Sequence, residues 1–150
     1  MRHGTGQRER RRGQSVVEMA IIVPLLFVLF LGILDFARVF YNAMTITHAA
    51  REGAQYGAQN DITSKDFDGM KAAALATAND IPGSGITADA QQFCKCESGD
   101  TVDCITGVCT EGVPQVFVQV TVEKVFTTLF PYPGVPHTTD LTRTATIRVQ

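Results

Sequence analysis

From Val16 to Leu34 the chain reads VVEMAIIVPLLFVLFLGIL, nineteen positions interrupted by a single charge at Glu18. At about 1.5 Å per residue, a helix of this length approaches the ~30 Å hydrocarbon core of a bilayer. A chain of 150 residues has too little other apolar mass to cover such a helix on every side. The run therefore predicts a membrane-spanning helix. The helical period continues beyond it through Phe36, Val39, Phe40, Ala43, Met44, Ile46, Thr47 and Ala50, so the helix is expected to reach about Ala58. Gly53 and Gly57 are expected to weaken its end, and Gln59-Asn60-Asp61 to stop it. Asp35 and Arg38, three apart at the end of the apolar run, are placed to pair on one helix face.

The pattern then changes. Lys65 to Ala78 predicts a second helix, capped by Ser64 or Thr63, with Phe67, Met70, Leu75 and the alanines on its buried face. Ile81-Pro82-Gly83-Ser84-Gly85 ends it, and residues 86–114 read as loop, with an early strand near Gly85–Phe93. Val116 to Lys124 alternates with β-branched residues, as a strand does. Pro131, Pro133 and Pro136 interrupt the next stretch, and Leu141 to Val149 alternates again. The fold class is α+β: a long transmembrane helix, a second helix and a small antiparallel sheet. Three segments follow: a basic leader at 1–13, the spanning and extended helix at 14–58, and an outer α+β domain at 59–150.

Composition adds little, with 45% hydrophobic and 19% charged residues and a net charge of -2. The distribution of charge adds more. Arg2, Arg8, Arg10, Arg11 and Arg12 stand against Glu9 alone in residues 1–13, while the remaining 137 residues are acidic on balance. A basic head on an acidic body points to nucleic-acid binding or to membrane topology. The spanning run that follows decides for topology, with the arginines on the cytoplasmic side and the C-terminal domain outside. Nucleic acid is not needed as a partner. A cleaved secretory signal has the same charge order but a shorter apolar core and a small-x-small site, which Asp35-Phe36-Ala37-Arg38 does not offer. A retained helix in a single-pass cell-membrane protein is expected.

Glu18 is the first residue with chemistry to explain. A carboxylate costs roughly 2.5–3.5 kcal/mol near a bilayer centre and less near the interface. Either it sits at headgroup depth, or it pairs with a cation on its own or a neighbouring subunit. Pro24 lies inside the spanning run, where membrane helices tolerate proline. Cys94, Cys96, Cys104 and Cys109 follow a C-x-C-x7-C-x4-C spacing. The single residue inside the first pair fits structural zinc poorly, and an extracytoplasmic position favours disulfides. A Cys94–Cys96 bridge would be strained. Cys94–Cys104 with Cys96–Cys109 is one pairing, and its crossed alternative is the other. Such bridges would staple a long loop that has no core of its own. His48 and His137 have no triad or ligand partners nearby in sequence, and no phosphate-binding loop or serine elbow is present. No catalytic residue, metal, cofactor or small-molecule substrate is expected.

A basic leader ending in Gly13, then Gln14-Ser15-Val16-Val17-Glu18 and an apolar helix, resembles the processing site of type IV pilin-like precursors. More narrowly, residues 12–58 resemble the TadE-like family of the tight-adherence (Flp pilus) system. The pieces that carry this are Gly13-Gln14-Ser15, Val17-Glu18, Pro24-Leu25-Leu26, Gly32, Asp35-Phe36-Ala37-Arg38 and Ala49-Ala50-Arg51-Glu52-Gly53-Ala54. The tail, Val118-x-Val120-x-Val122, Leu129-Phe130-Pro131 and Leu141-Thr142-x-Thr144-Ala145-Thr146-x-Arg148, echoes the same family more weakly. The resemblance implies a pilin-like helix and cleavage between Gly13 and Gln14 by a membrane prepilin peptidase. It also implies a role for Glu18 as the charge that neutralises a neighbouring subunit's terminal amine. Met19 stands where the small Flp major pilins usually carry Tyr, and a sizeable outer domain follows. Both features point to a minor pilin or pseudopilin that works with other pilin subunits and the tight-adherence secretion machinery in pilus assembly, surface adhesion and biofilm formation. The alternative is an uncleaved single-pass envelope domain that binds a ligand or partner outside any filament.

Overall fold

The computed structural model describes residues 6–79, 81 and 85–150. It contains helix α1 (Gly6–Gly57), a 3-10 turn (Thr63–Lys65), helix α2 (Phe67–Thr77) and strands β1 (Ile86–Lys95), β2 (Thr101–Val102), β3 (Gln115–Thr127) and β4 (Thr138–Arg148). The class is α+β as expected, with one long apolar helix, a second helix, an antiparallel sheet and two disulfides. The chain divides into two compact units, Met1–Arg38 and Val39–Gln150, so the division falls inside α1.

In the first unit, α1 starts at Gly6 rather than near Gln14. The run Gln7-Arg8-Glu9-Arg10-Arg11-Arg12 consists of good helix formers, and nothing in it stops a helix begun upstream. Residues 6–13 of the basic leader are thus helical, and residues 1–5 lie outside the described residues.

In the second unit, the helix face formed by Ile46, Ala49, Ala50, Ala54 and Ala58 is buried against Met70 and Ala74 of α2 and against Val118, Val120 and Val122 of β3. Their spacing of three and four residues traces one stripe. Gly53 and Gly57 lie on this stripe, and besides marking the end of the helix they have a part in packing. A Cβ on Gly53 would stand 2.7 Å from the Met70 carbonyl oxygen and 3.1 Å from a Val120 methyl. One on Gly57 would stand 2.5 Å from the Met70 sulfur. The helix does end at Gly57, after which the Asn60 side chain accepts hydrogen bonds from the Ile62 and Thr63 amides at 2.9 Å.

The cap of α2 also differs from expectation. Thr63 and Ser64 belong to the 3-10 turn, and Asp66 caps the helix through the Gly69 amide at 2.9 Å. Tyr56 of α1 donates its hydroxyl to the same carboxylate at 2.8 Å, tying the two helices together. Ser64 is buried and receives the Gln92 amide of β1 at 2.9 Å. Met70, Ala74 and Ala78 form the buried stripe, whereas Phe67 and Leu75 lie off it and remain about one-third exposed.

The sheet order is β2-β1-β3-β4, all antiparallel. β3 is central, and its even-numbered residues Val118, Val120 and Val122 face the helices. β1 continues past the expected strand to Lys95, and the two-residue β2 folds back on it with Cys94 opposite Val102. The proline-containing loop closes the β3–β4 hairpin. There the Thr128 amide donates to the His137 carbonyl at 3.0 Å, and the Thr128 hydroxyl meets His137 Nδ1 at 2.8 Å.

Replacing Gly53 by valine is expected to force α1 off α2 and to destabilise the unit by about 1–3 kcal/mol. Denaturant unfolding of the full chain in detergent, followed by far-ultraviolet circular dichroism, measures this. The Gly69 amide and the Tyr56 hydroxyl hold the Asp66 carboxyl below its ordinary range. The folded state then binds this proton less readily than the unfolded one, so the stabilisation is complete above the ordinary carboxylate pKa of about 3.9 and is lost as pH falls below it. Asp66→Ala is expected to lower stability at neutral pH and to flatten its decline below about pH 4, as read by unfolding midpoints across the acid range.

Candidate functional site

Along the apolar part of α1, the large hydrophobic side chains from Val16 to Leu34 are exposed except for Leu31, which is half-buried, and Val16 and Leu25 reach 68% each. The most apolar eighteen-residue window has a mean hydropathy of 2.7 and none of it is buried. A core helix of a soluble protein would be covered by the rest of its chain; this one is not. Among the described residues it is the one helix long and apolar enough to cross a membrane. Asp35 closes the run, nearly buried, with Arg38 donating to its carboxylate at 3.0 Å. The pair expected from the sequence is formed, and it places a neutralised ionic pair where the apolar run ends.

At the opposite end of the run, Gln14 and Glu18 are one turn apart on α1 and both exposed. Four residues of helix separate their backbones by about 6 Å, on one face. Gly13 lies within the helix. Pro24 also lies within it and leaves the carbonyl of Ala20 without its usual amide donor, yet the helix is unbroken. Gly13, Gln14 and Glu18 thus share one short stretch of the first unit.

The four cysteines belong to the second unit. Cys94 is bridged to Cys104 and Cys96 to Cys109, with Cα separations of 5.1 and 5.6 Å. Of the two pairings left open by the spacing, this is the one that joins first with third and second with fourth, so the two closed loops overlap. All four sulfurs are used, so no thiolate is left to bind a metal. Inside the loop, Asp103 accepts from the Ile105 and Thr106 amides at 2.9 and 2.8 Å, which holds its carboxyl below the ordinary range. Ile105 stands out from this turn at 93% exposure.

Sequence reasoning did not find two features of this unit. One is the Tyr56–Asp66 contact, which pairs residues on different helices and leaves no periodic signal. The other is a groove between α1 and β4 that brings Arg51 and Arg143 together across ninety-odd residues of sequence. The strand alternation puts Leu141, Arg143 and Ala145 on one side of β4, but nothing in the sequence sets Arg143 opposite Arg51.

Residues 13–55 match the model of the family described as TadE-like protein, the family that the motifs of this stretch resemble. The match begins at Gly13 and runs through Glu18, Pro24, Asp35 and the Ala49–Ala54 stripe, all on α1. No curated protein and no solved structure matches the chain.

Each bridge closes a loop of ten to thirteen residues and is expected to contribute about 2–3 kcal/mol to the loop's order. Little of the shared core lies between Glu97 and Pro114, so reduction should free that segment and leave the sheet folded. Hydrogen exchange under dithiothreitol is expected to rise across residues 97–113 while β3 amides stay protected.

Proposed function

We propose that this chain, TadE-like over residues 13–55, is a minor pilin or pseudopilin that takes part in assembling a tight-adherence pilus. The observation that carries this reading is the family match, which starts at the Gly13–Gln14 bond and includes Glu18 on a helix whose apolar surface its own chain leaves uncovered. Such a surface has two apolar environments open to it: the bilayer and the flanks of other helices in a filament. The protein acts by packing, as a structural subunit and not as an enzyme.

The chemistry of assembly follows from the charges. A membrane prepilin peptidase cuts after Gly13, and the glycine lowers the cost of unwinding the helix locally by about 1 kcal/mol relative to alanine. The cut removes the basic leader, releasing the subunit from the arginines that hold the N-terminus at the cytoplasmic face, and it creates a cationic amine on Gln14. Among packed helices, the Glu18 carboxylate of one subunit lies at the depth of a neighbour's new amine. Pairing the two offsets the cost of holding either charge in an apolar setting. The unit Val39–Gln150 stays outside the cytoplasm, where its disulfides persist, and supplies the surface for other pilin subunits, the secretion machinery and the adhesive or biofilm-forming contacts of the pilus.

Mass spectrometry of the protein recovered from membranes is expected to show Gln14 as the first residue. An intact leader would remove the filament mechanism and leave a membrane-anchored envelope domain. Glu18→Ala is expected to insert normally but to co-purify with partner subunits on the order of tenfold less, equivalent to about 1.4 kcal/mol. Normal pilus formation by that variant would sink the charge-pairing role.

A further inference from the structure

Two exposed surfaces of the unit Val39–Gln150 are complementary in charge and both apolar. The first is the disulfide-held loop that follows β1. Between Glu97 and Val113 it carries Glu97, Asp100, Asp103 and Glu111 and no lysine or arginine. Ile105, Val108 and Val113 are 93%, 87% and 77% exposed in the same stretch. Single exposed apolar residues need no explanation, but three on one short loop make it apolar as well as acidic. The loop is also ordered in advance. Two bridges hold its ends and middle, and Asp103 fixes the turn that presents Ile105 through the Ile105 and Thr106 amides. An ordered loop loses little freedom on docking.

The second surface is the groove between α1 and β4. It consists of two cavities of about 260 and 350 Å³ that share Thr47 and Arg51. Phe40 and Met44 give it an apolar wall, while Arg51 and Arg143 supply positive charge, and none of the described residues that line it is acidic. The sheet order β2-β1-β3-β4 sets the loop beside one edge of the sheet and the groove beside the other. One copy therefore cannot fill its own groove with its own loop.

We propose that the loop 97–113 of one copy docks into the α1–β4 groove of the next. Ile105 and Val108 enter beside Phe40 and Met44, and the loop carboxylates face Arg51 and Arg143. The contact is heterologous: each docked pair still presents one loop and one groove, so further copies add in the same sense. Charge complementarity sets the register and suppresses loop-to-loop or groove-to-groove encounters, where like charges would meet. This contact goes beyond the pilin reading and does not depend on cleavage at Gly13.

The test uses the full chain in detergent, with sedimentation velocity over a range of concentrations. The wild type is expected to associate progressively. Ile105→Ser, in the loop, and Arg143→Glu, in the groove, each alter an exposed side chain and should each weaken self-association on the order of tenfold. Circular dichroism and intact disulfides confirm that both variants fold, and Arg143→Gln serves should the charge reversal not. The decisive experiment is the mixture. Ile105→Ser retains an intact groove and Arg143→Glu an intact loop, so together they should form a one-to-one pair that goes no further. A wild type that stays monomeric, a variant that associates as the wild type does, or a mixture that forms no pair would each overturn the proposal. Association unchanged in both variants would place the contact on the apolar helix instead.

Discussion

Nineteen adjoining positions of α1 hold one charge, and the side chains they present must be kept from water by something other than this chain. That constraint orders much of the rest. The remaining apolar mass is committed to the unit Val39–Gln150, where a stripe of small side chains on the same helix meets α2 and the central strand β3. Asp35 and Arg38 stand where the helix passes from the first condition to the second, and their pairing neutralises both charges there. One helix thus serves two kinds of surface: large side chains outward over residues 16–34, and alanine and glycine inward from Ala49 to Ala58.

The small residues matter because they set how near the backbones come. Gly53 and Gly57 let α1 approach Met70 so closely that even a methyl group would collide. The approach also brings Tyr56 within reach of Asp66, so that the side chain capping α2 is held by α1 as well. The Ala-Ala-Arg-Glu-Gly-Ala run within the TadE-like match therefore has a physical reading: Ala49, Ala50, Gly53 and Ala54 are packing positions, while Arg51 and Glu52 between them face solvent.

The elements that could be read from the sequence are those whose periodicity is long and one-sided. The apolar run, the alternation of β3 and the alternation of β4 each announce an element. The Asp35–Arg38 pair was legible because both partners lie on one helix turn. What escaped reading depends on contacts between distant segments. The two glycines look like helix breakers until Met70 is seen beneath them. Asp66 looks like one of several solvated acids until Gly69 and Tyr56 are in place. The strand residues beyond Phe93 and the short β2 were hidden by cysteines and glycines whose local preference is for loop, and the disulfide pairing had to wait for the backbone that brings the cysteines together.

The central position of β3 has a consequence for how the protein is made. The chain emerges from its N-terminus, so the alanine–glycine stripe of α1 is synthesised well before Val118, Val120 and Val122, the residues that cover it. Until β3 arrives, the stripe, α2 and β1 have no common floor, and β1 lacks the partner that pairs with it along its whole length. The nascent unit Val39–Gln150 is therefore open-faced for most of its translation and closes late, in a step that needs contacts far apart in sequence. During that interval its uncovered strand edges can meet those of other chains, so the late arrival of β3 is the point at which mispairing competes with folding.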